Sequence, residues 1–76
     1  MFPQGEKPAS VMLGSEKIRT DRKTFYIDLK ENFRGRFFKI TEATGGRRSS
    51  ILVPAETIGE ALDKLRSLRD FERTFD

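Results

Sequence analysis

At 76 residues the chain has room for one domain at most, and a chain this short buries only about 60 % of the surface its unfolded form exposes. It holds neither cysteine nor histidine, which excludes disulfide staples and thiolate metal sites, removes the commonest general base, and leaves oligomerisation as the remedy for a marginal core. The net charge of +3 is uneven: residues 17 to 48 set ten Lys/Arg against Asp21, Asp28, Glu31 and Glu42, so a polyanion is a natural partner for the central third, with a plain solvated surface as the alternative.

The opening ten residues, "MFPQGEKPAS", lack an apolar signal core and read as a flexible tail. No apolar run approaches the roughly 20 residues a membrane helix needs. Four segments of strand character follow. In "SVMLGSEKIRT" the apolar positions are Val11, Leu13 and Ile18, and the change of parity across Gly14–Ser15–Glu16 predicts a bulge or bend. "KTFYIDLK" alternates, with Phe25, Ile27 and Leu29 on one face and Tyr26, Asp28 and Lys30 on the other. "ENFRG" supplies a hairpin turn with Asn32 and Gly35 as turn residues.

The third strand, "RFFKITE", gives Phe38 and Ile40 to one face and Phe37, Lys39 and Thr41 to the other. "ATGGRR" is a flexible loop, and "SSILVP" a short last strand ended by Pro54. From Ala55 onward the spacing turns helical through Ile58, Ala61, Leu62, Leu65 and Leu68, and Phe71 and Phe75 extend the stripe. The expected fold is therefore α+β: a four-stranded antiparallel sheet, then one helix. Its core would hold Phe25, Ile27, Leu29, Phe38, Ile40, Ile51, Val53 and the helix stripe.

Catalysis has little to work with. Asp28 and Glu42 are the carboxylates within predicted strands, and a shallow sheet gives no deep cleft to separate their pKa values. Pairing with Lys30 and Lys39 across strands is the simpler role. "ATGGRR" runs into a strand, not into the helix N-terminus a phosphate loop needs. No enzyme activity and no cofactor are expected.

The informative stretch is "KENFRGRFFKITE". Phe37 and Phe38 cannot enter the same core, because neighbouring strand residues face opposite ways. Phe37 stands among Lys30, Arg34, Arg36 and Lys39, an aromatic ring with cations, which is what a base and its phosphates require. Burial under a second molecule or under the N-terminal segment would serve Phe37 as well. Asn32 has the donor and acceptor to read a base edge, and is equally a turn former. "RGRFFKI" is similar to the basic–glycine–aromatic core of RNA-recognition motifs, but that fold places a helix between its first two strands.

The element order and the strings "FYIDLKEN" and "RGRFFKI" resemble the PUR repeat, the unit of the purine-rich element binding family, over roughly residues 11 to 70. The helix region is similar mainly by position. The resemblance implies one PUR repeat over residues 11 to 76, with a curved ββββα architecture. It also implies a homodimer in which two copies intertwine by exchanging helices, with Ile58, Leu62, Leu65 and Leu68 at the interface.

By the same resemblance the partner is single-stranded, purine-rich DNA or RNA, with duplex destabilisation and transcription regulation as family activities. It implies an intracellular setting, in cytoplasm, nucleus or nucleoid. The family's contact motif falls on Lys30, Asn32, Arg34, Gly35, Arg36 and Phe37, with Phe37 stacking on a base and Lys39 beside it. A second contact region falls on Arg22 and Lys23. Asp21 departs from the polar residue usual there, which weakens hydrogen bonding at that turn. A scaffold module using the same sheet face for a protein partner is the competing function.

Overall fold

Alternating Phe, Tyr, Ile and Leu in short runs, broken by turn residues, build four antiparallel strands: β1 (Val11–Arg19), β2 (Thr24–Asn32), β3 (Gly35–Thr44) and β4 (Arg47–Pro54). The computed structural model describes residues 10 to 75. Residues 1 to 9 of the expected tail lie outside this range. The strands form one meander in the order β1-β2-β3-β4. A 3-10 turn (Ala55–Thr57) leads into the helix α1 (Ile58–Glu72), and a second 3-10 turn closes the chain over Arg73–Phe75. This is the expected ββββα order.

The turns set the register. Asn32 and Gly35 pair across a two-residue loop, where Asn32 Oδ1 accepts the Arg34 amide at 2.8 Å. The β3–β4 connection is tighter than the expected loop: Thr44 pairs with Arg47 across Gly45 and Gly46, both at positive φ (47° and 89°), so the turn matches the strand twist. The predicted irregularity in β1 is real but lies earlier. Met12 pairs with Lys30 and Gly14 with Leu29, so Leu13 is the extra residue.

Register divides the sheet into two faces. Phe25, Ile27 and Leu29 share one with Phe38, Ile40, Ile51, Val53 and Ile18. Tyr26, Asp28 and Lys30 share the other with Phe37, Lys39 and Thr41, as alternation predicts. The apolar face is not covered. Among the described residues no apolar side chain is fully buried, and Ile51, assigned to the core, is 61 % exposed.

The helix explains this. α1 forms no packed interface with the strands of its own sheet; its neighbours are the flanking 3-10 turns. Its stripe is bare, with Leu62, Leu65 and Leu68 exposed and Ile58 half-buried. Phe71 and Phe75 meet edge to face, with ring centres 5.1 Å apart. The molecule measures 53 × 31 × 17 Å with a radius of gyration of 15.5 Å, against about 11 Å for a compact domain of this length.

Candidate nucleic-acid interface

The polar face concentrates charge of one sign. Among strand residues it carries Lys17, Arg19, Lys30, Lys39 and Arg48 against Asp28 alone. The apolar face carries Arg36 and Arg47 against Glu16, Glu31 and Glu42. Asp28 accepts a hydrogen bond from Ser15 Oγ at 2.6 Å, and Glu42 pairs with Lys23. These partners differ from the expected Lys30 and Lys39. The ammonium groups of those two lysines form no ion pair among the described residues.

Phe37 sits at one corner of this face. It pairs directly with Lys30 on β2 and with Pro54 on β4, and Met12 extends the row beyond Lys30. A groove of about 420 Å³ opens beside its ring, lined by Asn32, Arg34, Arg36, Leu52, Pro54 and Glu56. Lys39 lies one step further along the face, opposite Leu52. A half-buried ring flanked by two cations, over a shallow groove, can accept the face of a planar ring while charge is neutralised at its edges.

Arg34, Arg36 and Asn32 line the groove beside Phe37, but each has a polar or cationic group engaged within the sheet or its turn. Arg34 is in the turn, its guanidinium 5.5 Å from the centre of the Phe33 ring, and that ring is 77 % exposed. Arg36 belongs to the opposite face by register and pairs with Glu31 at 3.4 Å. Asn32 already spends its carbonyl oxygen on the turn, which leaves its amide NH2 to donate.

Arg22 and Lys23 lie in the β1–β2 turn at the far end of the sheet, separated from Asn32 by the length of β2, about 26 Å from Thr24 to Asn32. Thr20 holds that turn: its amide donates to Lys23 O at 2.9 Å, and its hydroxyl accepts the Lys23 amide at 3.0 Å. Among the described residues no group of three or more His, Cys, Asp or Glu could hold a metal ion. No helix there is long and apolar enough to cross a membrane.

The model of the PurA ssDNA and RNA-binding protein family matches residues 3 to 74. The chain belongs to the PurA family. It is 47 % identical over 55 residues to transcription factor Pur-alpha 1 of Arabidopsis thaliana, covering 72 % of this chain and 19 % of that protein. It is 39 % identical over 54 residues to transcriptional activator plp-1 of Caenorhabditis elegans, covering 67 % and 24 %. Against human transcriptional activator protein Pur-alpha the identity is 34 % over 64 residues, covering 83 % and 20 %. The chain thus spans roughly a fifth to a quarter of these relatives. No solved structure matches it.

Two features of this PurA chain escape a reading by local pattern. Phe33, in the hairpin turn, carries no periodic signal, although an aromatic residue between Asn and Arg in a two-residue loop has nowhere to bury itself. Arg48 reaches Tyr26 from two strands away, a contact set by the register of β4 and invisible in either strand alone.

Proposed function

We propose that this PurA chain is a non-enzymatic, single-stranded nucleic-acid-binding module, with DNA or RNA as ligand and a preference for purine-rich sequence. The observation that carries the reading is the placement of Phe37 on the cationic face, directly opposite Lys30 and close to Lys39. Bases stack on an aromatic ring for about 1–3 kcal/mol each, and single-strand grooves pair such rings with backbone-neutralising cations. The larger ring system of a purine gains more from such a platform than a pyrimidine does. Holding splayed bases on the sheet would also draw a duplex towards its separated strands.

The working unit in this proposal is a homodimer of single PUR repeats, residues 11 to 76, formed by helix exchange. Its support is the pairing of two bare apolar surfaces, one on the sheet and one along α1, that the same chain does not bring together. A second copy would place Ile58, Leu62, Leu65 and Leu68 over the Phe25–Ile27–Phe38–Ile40 face and leave the Phe37 face open. Nucleic-acid binding of this kind implies an intracellular setting and suits transcription regulation.

The test is a fluorescence anisotropy titration of the protein against a labelled single-stranded oligopurine of about twelve nucleotides at several salt concentrations. The expected result is saturable binding that weakens steeply with salt and is stronger than binding to an oligopyrimidine of equal length. Absence of binding at low salt, with the protein folded, would overturn the proposal in favour of a scaffold role.

A further inference from the structure

β4 carries a cation that the Phe37 corner does not use. Arg48 stands two strands from Tyr26, yet its guanidinium carbon lies 5.4 Å from the centre of the Tyr26 ring. The intervening β3 positions are Thr41, opposite Tyr26, and Ala43, opposite Arg48. Their short side chains let the arginine pass over β3 to the ring. Thr41 lies in that passage, 5 % exposed, with its hydroxyl 2.9 Å from Ser50 Oγ.

The other side of Tyr26 is cationic as well. Lys17 on β1 is directly opposite it, and Arg19 is the next residue of β1 on this face. Among the described strand residues the one carboxylate on this face, Asp28, is held by Ser15. Packing alone would account for one arginine on one tyrosine. It does not account for two further cations, Lys17 and Arg19, at neighbouring positions of the same face that also carries Phe37. Aromatic rings and guanidinium planes are the two side-chain surfaces on which unpaired bases stack.

Resting on the single-strand reading above, we infer that Tyr26 and Arg48, flanked by Lys17 and Arg19, form a second nucleotide subsite. A base stacks on the tyrosine–arginine pair, and its neighbouring phosphates meet the flanking cations. Phe37 to Thr41, the partner of Tyr26, spans about 13 Å along β3. That equals roughly four stacked-nucleotide rises of ~3.4 Å, so one short strand reaches from Phe37 diagonally to Tyr26.

The experiment titrates the full chain and its variants with the same labelled oligopurine of about twelve nucleotides. Arg48→Gln should weaken binding about 5-fold or more, with the melting temperature unchanged, and Lys17→Ala should flatten the log–log salt slope by about 0.7. Tyr26→Leu should weaken binding by a similar factor, and Tyr26→Phe should restore it. If Tyr26→Leu melts early, the exposed Arg48→Gln variant decides alone. Parental affinity in Arg48→Gln, alongside a loss in Phe37→Ala, would overturn the subsite and leave the single-strand reading standing. Failure of the parent protein to bind would overturn both.

Discussion

Lys30 and Phe37 are directly opposed across the β2–β3 pair, on the face that gathers the strand cations. Side chains so placed have Cβ atoms about 4.5–5.5 Å apart, so an ammonium group and a ring face are offered to one ligand. A phosphate bound at Lys30 would leave its own base, or the next, within reach of Phe37.

The charge assignment is testable through salt. Lys30→Ala should remove one phosphate contact and reduce the log–log salt slope of single-strand binding by about 0.7. Lys64→Ala, an exposed cation on α1 away from the sheet, should leave the slope unchanged. Titrations of both variants and the parent at several salt concentrations read the difference.

The bare apolar surfaces predict assembly. Sedimentation at micromolar concentration should give a dimer. Leu65→Asp, on a helix stripe that stands 61 % exposed on the single chain, should abolish dimer and folded structure together. On an isolated chain the same change would place a charge in water at little cost. A folded, stable Leu65→Asp monomer would therefore contradict helix exchange.

The β3–β4 turn requires glycine. Gly45 and Gly46 both have positive φ, and a β-branched residue there meets its own carbonyl, at a cost of roughly 1–2 kcal/mol. Gly46→Val should lower stability by about that much. Gly59, at ordinary helical φ with nothing within 4 Å of an added Cβ, should accept alanine with a gain of up to ~1 kcal/mol. Thermal melts of the two variants should move in opposite directions.

The order of elements and the two faces of β2 and β3 were legible because strand alternation is a local signal, and "FYIDLK" and "RFFKI" keep it without interruption. The same signal marked a break in β1, but it could not tell whether Leu13 or a later residue was extra, since that depends on pairing with Lys30 and Leu29. Arg36 shows the limit at the site itself. Proximity in sequence put it with Phe37, and it does line the groove beside that ring, but alternation could not show that parity also turns it towards the other face and to Glu31. The apolar stripe of α1 was evident, but periodicity cannot say which copy of the sheet a stripe covers. The Tyr26–Arg48 contact spans β3 and belongs to no single segment.

The central claim is that adjacent phenylalanines divide between ligand and core, and paired alanine variants test it most directly. Phe38 shares the apolar face with Ile27 and Ile40, and Phe37 shares the basic face with Lys30 and Lys39. Thermal melts and oligopurine titrations should be run on both. Phe38→Ala should cost about 3–5 kcal/mol of the assembled protein's stability. Phe37→Ala should change stability by no more than about 1 kcal/mol, yet weaken single-strand binding about 5- to 150-fold. The contradicting result is the exchange of the two phenotypes, or a Phe37→Ala protein that is folded and binds as tightly as its parent.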